Sequence, residues 1–309
     1  MSFRTVVISK RSKLDLKMGY LVVRQEDKIH RIFLDELNTL ILENPACCVT
    51  GCLLCELIKR KIKVIFCDEK HSPCSELFPC YGHGEVSGKL NEQIAWPSKF
   101  CKKLWTNIVA EKINNQAKFL IELGKYDAAN LLRSYINDLQ EGDNTNREGH
   151  AAKVYFNSVF GKDFRRGDGF AVDSALNYGY AIILSAFNRE IVARGYYTQL
   201  GIFHHNTFNH YNLSCDLMEP FRIFIDRHVY SCNFVQFSTK EKHEVLEIFN
   251  SPFCIDNTIR RLDDCIMFYT NSIFKAIASE NVGLVKYCSW KFDSNCVQLN
   301  SDETNEIKL

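Results

Sequence analysis

An excess of one charge sign, a long apolar run, an internal repeat and a second CxxC pair are all missing from this sequence. Lys and Arg total 38 against 37 Asp and Glu, a net charge of +1. Wholesale basicity is therefore excluded as a reason to expect nucleic acid, and a binder would have to gather its Lys and Arg on one face. The richest apolar run, Tyr180–Phe187, is broken by Ser185 and falls well short of the ~20 residues of a membrane span. Ser2–Lys13 carries only the three-residue apolar patch Val6–Ile8, too short for a signal-peptide core. No membrane partner is expected, and the cytoplasm is the default location.

Cysteine, by contrast, is plentiful, at 14 residues. Without a secretion signal these read as reduced thiols, mostly small buried hydrophobes. Zinc is the sharper alternative, because Cys52-Leu-Leu-Cys55 has ligand spacing and Cys74 and Cys80 follow. The segment from Cys52 to Ile58 looks helical, however, and the usual two-pair signature is incomplete.

The 309 residues suit about two domains, and 46% hydrophobic with 24% charged residues is a globular composition. The pattern predicts an α+β fold: a small N-terminal antiparallel β domain, sheet or sandwich, over 1–70, a connector over 71–97, and a larger all-helical domain over 98–309. Phe3–Ser9, Lys13–Lys17, Tyr20–Arg24, Lys28–Leu34 and Leu37–Leu42 read as strands at the spacing of a meander. A helix over Val49–Lys61 and a buried strand over Ile62–Cys67 follow. Pro73, Pro79, Gly82, Gly84, Gly88 and Pro97 punctuate the connector, where His83 reads as a surface turn residue.

Beyond it, Phe100, Leu104, Ile108, Ile113, Ala117 and Leu120 form a helical stripe, with Lys102, Lys103, Glu111 and Lys112 off it. Further helices are expected over Tyr126–Leu139, Glu148–Phe160, Ser174–Arg194, Leu213–Tyr230, Glu241–Asn250 and Cys254–Ala278. Pro220 should disturb the helix over Leu213–Tyr230.

Within that domain, Ser214–Arg222 (SCDLMEPFR) is acidic, then apolar, then basic. Asp216 and Glu219 lie three apart and so share a helix face. Upstream, His204 and His205 sit in an Asn-rich segment, and Glu148 opens a helix. Each residue has a bland reading. Thr145-Asn-Arg-Glu148 fits a capping box, Asp216 a first-turn carboxylate, and Glu219 with Arg222 a weak surface pair. The histidines could simply bond backbone. Jointly, a helix-borne glutamate, a loop histidine and an Asp-x-x-Glu helix supply the oxygen and nitrogen donors that suit Mg²⁺ or Mn²⁺ better than zinc.

The run Asn146–Phe156 (NREGHAAKVYF), the His204 segment and Asp216–Arg222 resemble the CRISPR-associated integrase, the protein that inserts new spacers into CRISPR arrays. Ile65–Asp68, Tyr81-Gly82 and Gln93–Trp96 resemble its type II branch, and the likeness is strongest over 1–230. The resemblance implies a metal-dependent DNA endonuclease and integrase with Glu148, His204 and Glu219 as catalytic metal ligands and Asp216 as an auxiliary carboxylate. It implies double-stranded DNA as substrate, both protospacer and CRISPR repeat. It also implies a homodimer, two of which flank a dimer of a small CRISPR-associated adaptation partner, and association with the type II effector nuclease. The 3′-hydroxyl of a short duplex would attack a repeat phosphodiester, a transesterification. Arg165, Arg166, Arg222 and His205 are candidate DNA contacts, within basic runs that also include Lys59–Lys63, Lys99–Lys103 and Arg260–Arg261. A non-catalytic DNA-binding scaffold with the same fold is the alternative.

Overall fold

The computed structural model describes residues 4–26, 28–69, 71–77, 86–162, 164, 166–167, 169–291 and 297–298. The chain divides into two compact units, the first drawn from the N-terminal 84 residues and the second running from Glu85 to Leu299.

The first unit holds two four-stranded sheets. In one, β2 (Lys13–Lys17), β3 (Tyr20–Arg24) and β4 (Ile29–Phe33) form the expected antiparallel meander, and the short β6 (Cys48–Val49) adds in parallel to β2. Leu14 faces Val23 and Leu16 faces Leu21 across the β2–β3 ladder. This register sends Leu14, Leu21 and Val23 into the core.

The other sheet runs β1 (Arg4–Val7), β5 (Leu37–Leu42), β7 (Lys63–Cys67) and β8 (Pro73–Glu76). Here β1, β5 and β7 pair in parallel, which departs from the all-antiparallel expectation. Parallel neighbours need crossovers. The meander joins β1 to β5, and α1 (Gly51–Lys59) lies between β5 and β7. The Thr50 side chain caps α1 by accepting from Leu53 N. Leu53 and Leu57, four apart, join Ile8, Leu34, Leu40 and Val64 in the core. Full burial of each such side chain contributes about 1.5–3 kcal/mol. The β8 strand falls inside the segment expected to be a connector, as does α2 (Val86–Ile94); His83, Tyr81, Gly82 and Cys80 lie outside the described residues.

The second unit is mostly helical. Its spine is α3 (Ser98–Glu122), whose Phe100, Leu104, Ile108, Ile113, Ala117 and Leu120 are all buried, as the stripe predicts. Gly124, at φ +71°, reverses the chain into α4 (Tyr126–Asn137). Then come α5 (Arg147–Phe160), α6 (Ala171–Ala193), α7 (Asn212–Met218), α8 (Arg222–Cys232) and α9 (Thr239–Leu246). On one side α3 packs against α4 and α5, while α6 packs against α7, α8 and α9. Gly179 lets α6 approach α8 closely, since a Cβ there would lie 2.6 Å from Ile225 Cγ2.

The expected disturbance at Pro220 and one departure from the expected helices have local causes. Glu219–Phe221 is a 3-10 turn separating α7 from α8. Pro220 has no N–H to return to the Asp216 carbonyl, so the helix breaks there. Residues 254–261, expected to open the last helix, instead complete a hairpin, β9 (Pro252–Ile255) with β10 (Thr258–Arg261). Asp256 and Asn257 both take positive φ, the backbone of a two-residue type I′ turn. Helix α10 (Leu262–Ala278) follows, and β11 (Val297–Gln298) pairs with β10. Among the described residues no helix is long and apolar enough to cross a membrane.

Candidate active site

Glu148 and Glu219 lie 71 positions apart in sequence, yet they meet on one atom. Lys112 Nζ donates to Glu148 Oε1 at 2.5 Å and to Glu219 Oε2 at 2.5 Å. The lysine comes from the middle of α3, Glu148 from the first turn of α5, and Glu219 from the turn at Pro220. The Lys112 side chain is 12% exposed, Glu148 23% and Glu219 5%. Glu219 is also held from its other oxygen, where Arg222 Nε donates to Oε1 at 3.0 Å.

Burial opposes the Glu219 charge, but Arg222 and Lys112 outweigh it and keep the carboxyl well below the usual carboxylate range. Burial likewise opposes the Lys112 charge, and Glu219 and Glu148 more than offset it, so its pKa is raised. The pair read as a weak surface contact between Glu219 and Arg222 is therefore part of a buried charge network.

The capping-box reading of Glu148 does not hold. The N-cap position of α5 is Asn146, in the left-handed region, with no side-chain cap bond. The helix start is satisfied by Asp143, whose carboxylate accepts from Arg147 N at 2.7 Å and Glu148 N at 3.1 Å. This leaves the Glu148 side chain to turn toward Lys112.

His204 is positioned through Asp216, which is buried on α7 with no exposed surface. Asp216 Oδ2 accepts from the amides of Ile202 at 2.6 Å and Phe203 at 2.9 Å, and Oδ1 accepts from the His204 amide at 3.2 Å. His204 Nδ1 lies 2.5 Å from Oδ1. Both Asp216 oxygens already accept from backbone amides, so the ring nitrogen facing them is assigned as the donor: Nδ1 carries the proton and Nε2 is left as the free nitrogen. The Asp216 hydrogen bond raises the His204 pKa, against the opposing effect of burial. Asp216 is thus the anchor of the whole segment rather than a first-turn carboxylate.

The segment is fixed from other sides as well. Asn212 Nδ2 donates to the carbonyls of Gln199 and Asn206, both at 2.9 Å. Gln93 on α2 bonds Tyr197 N, Tyr197 O and Leu200 O, each at 2.8 Å. Phe203 stacks on Trp105 at 4.5 Å, and His204 meets the same indole edge-on. His205 is exposed.

Gly201 makes this packing possible. A Cβ there would run into the His204 carbonyl oxygen and lie 2.7 Å from Asp216 Oδ2. Gly201→Ala is expected to cost about 1–3 kcal/mol, read as a lowered urea midpoint. Gly88→Ala, where nothing lies within 4 Å of the added Cβ, should be close to neutral in the same titration.

Arg222 and Arg166 flank a second buried acid. Both guanidinium groups lie over the Tyr180 ring, at 4.8 and 5.0 Å, and Tyr180 Oη donates to Asp226. Burial pushes the Asp226 carboxyl up to about 6, against the lowering effect of the Tyr180 hydrogen bond. An unfolded aspartate titrates near 3.9, so the folded state holds its proton longer. Stability from this group is full below pH ~4 and is lost as pH rises to about 6, on the order of 3 kcal/mol in all. Asp226→Asn should remove that slope, seen as a flatter urea midpoint between pH 4 and 7 than in the wild type.

Of the other proposed DNA contacts, Arg166 pairs with Asp173 at 3.6 Å, and Arg165 lies outside the described residues. Cys52, Cys55 and Cys74 are free and exposed. Among the described residues, no group of three His, Cys, Asp or Glu side chains is arranged to hold a metal ion. What Glu148 and Glu219 share is the Lys112 ammonium. As a donor set, two convergent carboxylates with a nearby imidazole whose Nε2 is free still fit a hard divalent cation.

Lys112 is the nearly buried charge at this site that the sequence pattern hid. It was placed off the stripe, although positions 104, 108, 112, 116 and 120 form a strict i,i+4 row on α3. Gln116, in the same row, is buried too. Two polar residues interrupting an apolar row were the available signal.

Residues 5–245 match the family model described as CRISPR associated protein Cas1. The chain is 34% identical over 226 residues to the CRISPR-associated endonuclease Cas1 of Neisseria meningitidis serogroup C (strain 8013), covering 73% of this chain and 74% of that one. In fold it is similar to a chain of a Cas6-RT-Cas1–Cas2 complex, with a TM-score of 0.74 at 18% identity over 91% of this chain; it spans 35% of that longer chain. It is also similar to a casposase bound to integration product, with a TM-score of 0.72 at 14% identity, covering 99% of this chain and 96% of the casposase.

Proposed function

The chain belongs to the Cas1 family, the CRISPR-associated endonucleases and integrases of spacer acquisition, and we propose that Glu148, His204 and Glu219 are its catalytic residues, acting with Mg²⁺ or Mn²⁺. The observation that carries this reading is the meeting of Glu148 and Glu219 on a single cationic nitrogen. The two carboxylates are oxygen donors aimed at one point. His204 offers Nε2, because its Nδ1 is committed to Asp216. A divalent ion, when bound, would lower the pKa of an attacking 3′-hydroxyl and offset charge developing on the phosphate.

The residues supply the rest. Glu148 and Glu219 would fix the cation from two separate elements, so its place is set by the packing of α3 against α5 and the Pro220 turn. Asp216 holds the imidazole plane and its tautomer. Arg222 keeps Glu219 ionised and in one orientation. In the transesterification, the O–P bond to the incoming 3′-oxygen forms as the repeat's own O–P bond breaks, and no nucleotide energy is consumed.

The proposed substrates are a protospacer duplex and CRISPR repeat DNA. The proposed assembly is a homodimer working with a small Cas2-type partner, an extension from the Cas6-RT-Cas1–Cas2 complex, one chain of which is similar to this fold. Association with a type II effector nuclease and a cytoplasmic location belong to the same proposal. The division into a β domain over 1–70, a connector over 71–97 and a catalytic domain over 98–309 is also part of it.

The test is a joining assay with the full chain, a Cas2-type partner, a repeat-bearing plasmid and a labelled duplex. Covalent joining should require Mn²⁺ or Mg²⁺ and a 3′-hydroxyl. Joining that persists in EDTA, or with a 3′-deoxy duplex, would overturn the mechanism. DNA binding without any joining would favour a non-catalytic scaffold.

A further inference from the structure

Lys112 has no part in the chemistry proposed above, yet it occupies the centre of the site. Its ammonium donates to Glu148 and Glu219 together. With Arg222 on the other oxygen of Glu219, two carboxylates face two cations, and the cluster is balanced in charge. A metal-ion site made only of acidic groups would instead hold two buried like charges apart, at a cost to folding. The lysine stem is flexible, and its ammonium is a compact point charge that can withdraw without breaking the α3 backbone.

We propose that Lys112 is a resident counter-cation: it holds Glu148 and Glu219 together in the metal-free protein and competes with the divalent ion for them, so that loading the site releases its ammonium. This rests on the reading of Glu148 and Glu219 as metal ligands. Competition for shared ligands is a negative linkage between two cations, and linkage of this kind shifts affinity by roughly 5- to 150-fold. Two consequences follow. Without metal, Lys112 stabilises the fold by neutralising the pair. With metal, it raises the concentration at which the site fills. Lys112 is a positioning residue in this scheme, since it acts on the carboxylates and not on DNA.

The first measurement is Mn²⁺ binding to the full-length protein, followed by the electron paramagnetic resonance of free Mn²⁺, with no DNA present. Lys112→Met should bind Mn²⁺ about tenfold more tightly than the wild type, and its metal-free melting temperature should fall while added Mn²⁺ restores it. Lys112→Arg keeps the charge and should bind no more tightly than the wild type. Glu148→Gln and Glu219→Gln should lose Mn²⁺ binding.

The second measurement needs no variant. The wild type is treated with an amine-reactive reagent with and without Mn²⁺, and each lysine is quantified by mass spectrometry. Labelling of Lys112 should rise with Mn²⁺, while that of the exposed Lys240 should not change. The proposal is overturned if Lys112→Met binds Mn²⁺ no more tightly than the wild type, or if Mn²⁺ leaves Lys112 labelling unchanged or lowers it. Should Lys112→Met fail to fold, the labelling decides alone. If both glutamine variants bind Mn²⁺ like the wild type, the reading of the site itself falls, and this inference with it. If they lose binding while Lys112→Met behaves as the wild type, only the competition by Lys112 is excluded.

Discussion

Glu219→Gln is expected to lower strand joining by about a thousandfold or more, an effect on the scale of removing a group that stabilises transition-state charge. Glutamine keeps the shape of the side chain and an acceptor oxygen for Arg222 or Lys112. It removes the negative charge that both cations surround. Glu219→Ala is a poorer test, because it leaves two nearly buried cations short of a partner and could cost about 3–5 kcal/mol of stability. Glu148→Gln should lose joining to a similar degree with a smaller effect on stability, since the Glu148 side chain is 23% exposed against 5% for Glu219. A time course of duplex joining, run beside a thermal scan, separates the two effects. Wild-type joining by both glutamine variants would place the chemistry elsewhere.

Asp216→Ala should lose stability on the same scale as Glu219→Ala, by a different route. Three backbone amides and the His204 ring all bond to this one carboxylate, and Asp216 is fully buried. Removing the acceptor leaves buried donors unsatisfied, at about 1–3 kcal/mol for each that finds no new partner. A total of about 3–5 kcal/mol corresponds to a fall in melting temperature on the order of 10 °C for a unit of this size. Asp216→Asn divides the role further. Its amide can still accept, but it can also donate to the ring, which would move the proton to Nε2 and spoil His204 as a ligand. Asn should therefore keep more of the stability than Ala and still lose Mn²⁺ binding and joining, by about a hundredfold. Calorimetry and Mn²⁺ titration of the two variants check this. Full Mn²⁺ affinity in Asp216→Asn would show that the tautomer of His204 is not what Asp216 supplies.

The two substitutions also mark where the sequence was sufficient. Asp216 and Glu219, three apart and followed by proline, are local features, and their pairing on one short stretch was legible. What Asp216 does was not, because its partners are amides at 202–204, and no side-chain pattern records which carboxylate a backbone amide will find. The N-terminus of α5 makes the same point at shorter range. Thr145 and Glu148 have capping-box spacing, yet Asp143 takes the amides. A competitor two residues upstream won through the positive φ at Asp143 and Asn146, which pattern spacing does not encode.

By itself, the sequence determined the meander strands, the apolar stripe of α3, the break at Pro220 and the set of acidic and imidazole residues. Each rests on local periodicity, on proline's missing N–H or on residue type. Tertiary structure alone decided which groups share a point in space. The parallel β1–β5–β7 sheet depends on crossovers that strand propensity cannot order. The hairpin at Asp256-Asn257 displaced the start of α10 because two residues accepted positive φ. Above all, Lys112 read as a solvent-facing lysine. It became a nearly buried one because its partners, 36 and 107 residues further along the chain, arrive only when α5 and the Pro220 turn pack on α3. A lysine enters such a place when opposite charge is already there to receive it, and that charge is brought by the fold.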